Sequence, residues 1–242
     1  MQLYYIRHAQ SANNAAWDRL GTNRSRSEDP ELTELGVRQA ELLAQYLAQA
    51  DAGAAAGDRD IQNRRGFGIT HLYTSLMVRS VATGAHLSRA IGAPLVAWDD
   101  IHEGGGIYLD DEELNARLGQ PGKNRAYFIR HYPDLVLPEA LYDAGWWNRP
   151  FEEREQRYGR ARRVVERLRA RHGGTQDRVA IVSHGGFFNY LLCVLFNLAA
   201  RDGFWFVLNN ASISRFDFDW DEQDVGIVYL NRVDFLPSDM IS

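Results

Sequence analysis

The sequence contains a single cysteine, Cys193, among its 242 residues. One thiol excludes a disulfide within the chain, and its place in the apolar run 190–196 predicts a side chain buried in the core. The spacing of cysteine and histidine residues resembles no zinc site, so these residues predict no metal centre.

Long apolar runs are missing as well. No stretch approaches the 18 residues that suggest a membrane-spanning helix, so we predict no membrane span. The apolar run near the N-terminus is too short for a signal peptide and follows no basic segment, which makes the cytoplasm the expected location. The net charge of −5 gives no support to a nucleic-acid partner, so any anion site must use basic residues gathered locally.

Short apolar segments of strand type alternate with longer segments of helical periodicity. This alternation predicts a three-layer α/β/α sandwich with a mostly parallel central sheet, in one domain over residues 1–242. Strands are predicted at 3–6, 69–74, 94–98, 178–182, 204–207, 212–217 and 225–230. Helices are predicted at 37–47 behind an N-cap at Thr33, at 75–91 with Ser75 as N-cap, at 151–172 and at 187–198.

Two polar stretches have a simple structural interpretation. The arginines of the predicted helix 151–172 are expected to form a solvated face. The acidic residues of 217–224 lack the spacing and the glycine of a calcium loop, so we interpret them as a polar hairpin.

Residues 104–150 interrupt the alternation. Glycines, prolines and aromatic residues are frequent there, and no regular period is visible. We interpret this stretch as an insertion with short helices that covers a site. Its aromatic residues either line a substrate pocket or form the insertion's own core, namely Tyr108, Tyr142, Trp146 and Trp147.

Side chains suited to phosphoryl chemistry follow several of the apolar segments or open the helices after them. They are Arg7, His8, Arg79, Glu103 and His184. Because α/β sheets bind ligands beyond the carboxyl ends of their strands, we expect these side chains to meet there. Arginine forks bind phosphate oxygens, and a carboxyl group can donate or accept the proton of a leaving oxygen. Gly185 and Gly186 would let backbone amides at a helix N-terminus approach an anion.

The motifs around these residues resemble those of the histidine phosphatase superfamily, the phosphoglycerate-mutase-like proteins. That family's signature is an apolar strand, then Arg-His-Gly, then Ser three residues and Asn six residues after the His. Residues 3–14 resemble this signature, with Ser11 and Asn14 at the last two positions. Further family-like segments follow in the family's order at 32–40, at 75–79 with Thr83, at 101–103, at 182–186 and at 210–213.

Two positions depart from the family pattern. Ala9 replaces the usual glycine after the histidine, which makes the backbone there less permissive. Gln10 stands where mutases often have Glu. The mutase-like Glu-Arg-x-Tyr-Gly run is also missing after Glu103, where three glycines follow instead. The departures favour a phosphatase over a mutase.

The resemblance implies phosphoryl transfer through a phosphohistidine on His8, without a metal or other cofactor. It assigns the binding of the phosphoryl oxygens to Arg7, Arg79 and His184, with further hydrogen bonds from Ser11, Asn14 and the Gly185 amide. Glu103 would protonate the leaving alcohol and then activate water. Other carboxylates nearby stay open as the proton donor, namely Asp99, Asp100, Glu112 and Glu113. The remaining histidines, His71, His86, His102, His131 and His172, are expected to have structural or surface roles.

Three hypotheses follow. The first is a phosphomonoesterase acting on a small-molecule phosphate ester, with a phosphoprotein as the alternative substrate. The second is a phosphoglycerate mutase, which needs a bisphosphate primer. The third is a module of the same fold that binds a phospho-ligand or a protein without turnover. Neither the substrate nor the oligomeric state follows from the sequence.

Overall fold

A seven-stranded sheet forms the centre of the computed structural model, which describes residues 1–22, 26–49, 60–141, 143–198, 205–219 and 224–242. Its strands are β1 Gln2–Arg7, β2 His71–Thr74, β3 Leu95–Ala97, β6 Leu135–Val136, β7 Arg178–Ser183, β8 Ile213–Asp219 and β9 Asp224–Arg232. They lie in the order β6-β3-β2-β7-β1-β8-β9. The first five run parallel, β8 runs antiparallel to β1, and β9 runs antiparallel to β8. A separate hairpin joins β4 Tyr108–Asp111 to β5 Ala116–Gly119.

Helices cover both faces of the sheet. They are α1 Ala12–Leu20, α2 Glu34–Ala48, α3 Val78–Ile91, α4 Arg125–His131, α5 Arg154–His172 and α6 Gly185–Leu195. Both faces need cover because the apolar side chains of strand β1 point alternately to one face of the sheet and to the other. Tyr4 and Ile6 pack into the core that includes α2 and α3, whereas Leu3 and Tyr5 pack into the core that includes α5 and α6. The predicted mostly parallel α/β sheet flanked by helices is therefore confirmed.

Two sequence-based element assignments are wrong. Helix α3 has Met77 rather than Ser75 at its N-cap, because the Ser75 hydroxyl lies 2.7 Å from Nε2 of His184. Residues 205–207 form no strand, and Phe204 lies outside the described residues. The Asn189 side chain forms the hydrogen bonds that the backbone of a neighbouring strand would otherwise form with Phe206. Its amide donates to the carbonyl of Phe206 and its oxygen accepts from the amide of Phe206.

The solvated arginine face of α5 is confirmed except at Arg157, whose side chain is 17% exposed, and at Arg160. Most of its arginines are exposed, but Arg160 is almost completely buried. Its guanidinium forms a bidentate pair with Glu152 at 2.6 and 2.7 Å. It also donates to the carbonyls of Asp100 and His102, at 2.8 Å each. The assignment failed because helical spacing alone did not reveal an acidic partner buried before the helix.

The region 104–150 contains more strand than expected. It holds the hairpin β4–β5, and its strand β6 joins the edge of the main sheet beside β3. Trp146 and Trp147 are buried in the core, whereas Tyr108 lines a cleft, so the aromatic residues divide between the two predicted roles. Tyr142 lies outside the described residues.

Two expectations about apolar segments can be compared with the structure. Cys193 is buried in α6, which confirms the predicted core thiol. Among the helices that the structure describes, none combines the length and the apolar character needed to cross a bilayer.

Candidate active site

The parallel pairing of β1 with β7 brings the two predicted histidines together. Arg7 at the end of β1 is in register with Ser183 at the end of β7, so the next residues, His8 and His184, are neighbours. Their ring centroids lie 5.0 Å apart. Arg79, in the first turn of α3, donates from Nε to Nε2 of His8 at 3.0 Å. The structure thus unites four of the predicted residues at the carboxyl edge of the sheet.

The His8 imidazole is held in one tautomer. Its Nδ1 lies 2.7 Å from the carbonyl of Ala9, which fixes the proton on Nδ1. Its Nε2 therefore carries the lone pair and accepts from Arg79. Burial, reinforced by the positive charges of Arg79 and Arg7, holds the pKa of His8 well below its usual range. At neutral pH the ring is neutral, with a lone pair available for attack.

The backbone around His8 is fixed from two sides. The Ala9 amide donates to the Thr83 hydroxyl at 3.1 Å. The Asn210 side chain and the Ala211 amide both donate to the His8 carbonyl, at 3.1 and 3.2 Å. Ala211 reaches it with a φ of 59°, a conformation costly for alanine. Ala9, in contrast, has no positive φ, so the replacement of the family's glycine is tolerated.

Several donors around His8 are incompletely paired within the described structure. Arg7 donates from Nη1 to the Leu208 carbonyl, but its buried Nε has no partner. His184 places Nε2 2.7 Å from the Ser75 hydroxyl, while its buried Nδ1 has no partner. Arg79 has only a distant carboxylate, that of Asp29 at 3.9 Å. Since buried polar groups are normally paired, these unpaired donors indicate a site that can bind an anion.

Glu103 is held by two backbone amides. The Gly104 amide donates to one carboxylate oxygen at 2.7 Å, and the Gly186 amide donates to the other at 3.0 Å. A Cβ at position 186 would overlap the carboxylate, so only glycine allows this approach. The rival carboxylates lie elsewhere. Those of Asp99, Glu112 and Glu113 belong to exposed residues, and that of Asp100 pairs with Arg163 and Arg167.

All the predicted site residues except His184 border one cleft of about 350 Å³, within the range of small-ligand sites. Ser11 and Asn14 line it and form the capping box of α1, in which the Ser11 hydroxyl accepts from the Asn14 backbone amide at 3.4 Å and Asn14 Oδ1 accepts from the Ser11 amide at 3.1 Å. Gly185 lines it at the start of α6. His184 is fully buried and does not itself line the cleft.

The sequence predicts that residues 15–29 and 107–150 set the specificity of the pocket, but it singles out no individual residue of 15–29. Arg26, Trp17 and the segment 205–208 line the cleft, and Asp29 supports Arg79. Asp29 is buried beside the start of α3 and accepts from the Val78 amide at 3.0 Å. Burial raises the pKa of its carboxyl to about 6. No local pattern marked these individual positions, because only the fold brings Trp17 of α1 and the loop residues to the site.

A second cluster of side chains that could bind a metal lies at the amino ends of strands β2 and β7. His71, His172 and Asp177 place their candidate ligand atoms within 4.8 Å of one another. The polar atoms already have partners in the described structure. His172 Nδ1 lies 2.8 Å from Asp177, and His71 Nδ1 lies 2.9 Å from the Thr70 hydroxyl. The cluster therefore has the contacts of a structural hydrogen-bond network.

Known proteins resemble this chain in sequence and in fold. The model of the histidine phosphatase superfamily (branch 1) matches residues 3–231. A relative described as a probable phosphoglycerate mutase GpmB of Yersinia pestis is 24% identical over 218 residues, covering 90% of this chain and 85% of the relative.

Two solved structures share the fold. The mycobacterial glucosyl-3-phosphoglycerate phosphatase with inorganic phosphate has a TM-score of 0.56 at 20% identity, over 98% of this chain and 99% of that one. The phosphoserine phosphatase of Entamoeba histolytica with 3-phosphoglyceric acid has a TM-score of 0.56 at 18% identity, over 98% and 99%.

Proposed function

Because the chain belongs to the histidine phosphatase superfamily (branch 1), whose members are phosphatases or mutases, we propose that it hydrolyses a phosphomonoester through a phosphohistidine at Nε2 of His8. The observation that carries the proposal is the state of His8. Its ring is neutral, its protonated Nδ1 donates to the Ala9 carbonyl, and its Nε2 faces Arg79 beside unpaired donors. A neutral, oriented imidazole is a competent nucleophile.

The first half-reaction transfers the phosphoryl group to His8. Nε2 attacks phosphorus in line with the departing oxygen, and the phosphorus–oxygen bond to the alcohol breaks. Arg79 shifts its hydrogen bond from Nε2 to a phosphoryl oxygen, and Arg7 offers its unpaired Nε. The Nδ1 proton of His184 fills the third position, because Ser75 and Ser80 hydrogen-bond the opposite nitrogen. These donors stabilise the charge of the transition state.

Glu103 moves the proton in both half-reactions. In its acid form it protonates the leaving alkoxide. The resulting carboxylate then removes a proton from water as the water attacks phosphorus, and the phosphorus–nitrogen bond breaks to release phosphate and the neutral His8 ring. The amides of Gly104 and Gly186 hold the carboxylate in position. Ser11, Asn14 and the Gly185 amide line the same cleft and are assigned to binding of the phosphate or the substrate.

The substrate class is a small phosphate ester. The structural neighbours are named as phosphatases of glucosyl-3-phosphoglycerate and of phosphoserine, and the cleft has the volume of a small-ligand site. A phosphoprotein is the alternative. Phosphoglycerate mutase activity is the second candidate function, since the Yersinia pestis relative carries that name. Gln10, at the position where mutases often have Glu, bonds to Thr33 and does not line the cleft.

The test measures phosphate release from para-nitrophenyl phosphate in the presence of a chelator. Wild type should release phosphate and should carry a base-stable, acid-labile phosphoryl group after rapid quenching. His8→Ala should show neither, while His131→Ala, at an exposed histidine of α4, should match wild type. Undiminished release by His8→Ala would contradict the mechanism. Interconversion of phosphoglycerates with a bisphosphate primer, at little net phosphate release, would support the mutase instead.

A further inference from the structure

Arg26 extends the cleft beyond the groups that the proposed mechanism uses. It lies between α1 and α2 and lines the same cleft as His8. Its guanidinium carbon lies 3.9 Å from the ring centroid of Tyr108, so the side chain is held by a cation–π contact with the first residue of β4. Its buried Nε has no hydrogen-bond partner in the described structure. Arg26 thus presents an oriented cation with an unmet donor.

The neighbouring acids are committed to other groups. Glu103 accepts from two backbone amides, and Asp29 lies beside Arg79. Among the described residues, no carboxylate forms an ion pair with Arg26 within 4.0 Å. The positive charge of Arg26 also contributes to lowering the pKa of Arg79, behind the larger effect of burial. Arg26 therefore adds positive charge close to the phosphate-binding arginines without neutralisation by the protein.

The cleft has room for a ligand that reaches both cations. Its volume of about 350 Å³ exceeds what a phosphoryl group alone would fill. We propose that Arg26, stacked on Tyr108, forms a second anion subsite that selects phosphate esters bearing another anionic group, a carboxylate or a second phosphate. This inference rests on the proposed function, since it names the substrate class of the same site.

The experiment compares esters that differ in one anionic group. The first pair is 3-phosphoglycerate and glycerol 3-phosphate, in which an alcohol replaces the carboxylate. The second pair is propane-1,3-diol bisphosphate and propyl phosphate, which tests a second phosphate. For each pair the measured quantity is the ratio of kcat/KM for the ester with the second anionic group to that for the ester without it, so general losses of activity cancel. The pair with the larger ratio identifies the preferred anion.

Wild type should favour the ester with the second anionic group in at least one pair. Arg26→Gln should lower that ratio about tenfold or more, which is the usual worth of a hydrogen bond between charged groups. Arg26→Lys should retain part of the preference, because it keeps the charge but loses the planar fork. Arg38→Gln, at an exposed arginine of α2, is the matched control and should leave the ratio unchanged.

Two outcomes would overturn the subsite. One is a wild-type enzyme without preference in either pair. The other is an Arg26→Gln variant that loses activity equally on both members, which would make Arg26 a ligand of the transferred phosphate. Calorimetric binding of the uncleaved esters to His8→Ala, with and without Arg26→Gln, tests selectivity without turnover. Selective binding by a wild type that releases no phosphate would contradict the proposed function and preserve the subsite.

Discussion

Two buried arginines, Arg160 and Arg79, have contrasting surroundings. Arg160 forms what we call the clamp, together with Glu152 and the carbonyls of Asp100 and His102, and its contacts are short and bidentate. Arg79 belongs to what we call the cleft floor, together with Arg7, His8 and His184. The nearest carboxylate to Arg79 lies 3.9 Å away, and two buried donors of the cleft floor have no partner in the described structure.

The contrast separates two uses of the same residue type. A guanidinium whose donors are all directed at protein oxygens holds segments together, and the clamp fixes α5 against the residues that precede Glu103. A guanidinium surrounded by other cations and unmet donors costs stability until an anion arrives. We infer that the clamp was shaped for folding and the cleft floor for a ligand. This inference predicts opposite consequences for the two arginines.

The largest effect is expected from Arg79→Met. Removing this donor should lower kcat/KM for para-nitrophenyl phosphate about 10³-fold or more, as expected for an arginine that stabilises a transferring phosphoryl group. The same change removes a buried cation without a close partner, so the melting temperature should stay constant or rise. Activity assays and thermal unfolding of the same preparation test both parts. A large fall in melting temperature would make Arg79 structural and would remove the contrast.

The next effect concerns stability. Arg160→Met should leave Glu152 buried without its partner and cost roughly 3–5 kcal/mol of the free energy of unfolding. For a chain of this length, that corresponds to a fall in melting temperature of about 10 °C. The double variant Arg160→Met with Glu152→Leu should recover much of the loss. Arg162→Met, at an exposed arginine of the same helix, should change the melting temperature little.

The residues of the cleft floor could be predicted from the sequence for a physical reason. His8, Arg79 and His184 follow apolar strands or open helices, and the rule that ligands bind beyond strand carboxyl ends placed them together. The parallel sheet itself followed from the alternation of strands and helices. The clamp could not be predicted. Its acidic partner Glu152 precedes the helix of Arg160, and only packing decides which arginine of α5 is buried.

Side-chain hydrogen bonds between distant parts of the chain account for the two wrong element assignments. Ser75 has the chemistry of a helix cap but bonds to a histidine that is distant in sequence. Residues 205–207 have strand-like side chains, but an asparagine of α6 takes up the backbone groups of Phe206. Both cases involve long-range hydrogen bonds that outcompete a local preference.

Glu103 follows His102, whose carbonyl belongs to the clamp, and it lines the cleft. We expect its replacement to have an effect of intermediate size. Glu103→Gln keeps the shape and the contact with the Gly186 amide but removes the group that donates and accepts the proton. Turnover of alkyl phosphates should fall about 10²-fold, within the usual range for general acid catalysis. The fall should be smaller for para-nitrophenyl phosphate, whose leaving group needs little protonation. An equal fall for both ester types would show that Glu103 acts on another step, and Glu113→Gln at an exposed position is the control.

The smallest effect concerns Asp29, the acid that lies behind Arg79. Its carboxyl has a pKa raised by burial to about 6, above the value of 3.8 for an exposed group. The protonated form is therefore favoured by folding, so this group stabilises fully below pH 3.8, and the contribution is lost as the pH rises through about 6. Asp29→Asn should accordingly raise the melting temperature most at pH 8 and least near pH 4.

Activity should respond to the same titration in the opposite sense. Above a pH of about 6 the carboxylate is charged and orients the Arg79 guanidinium 3.9 Å away, so Asp29→Asn should lower kcat/KM up to about tenfold there. Below that pH the wild type loses the same charge, and the ratio of wild-type to variant activity should approach one. Because the ratio cancels the ionisation of the substrate, it isolates Asp29. A ratio that stays constant between pH 5 and 8 would mean that the carboxyl supports α3 through its bond to Val78 rather than through charge.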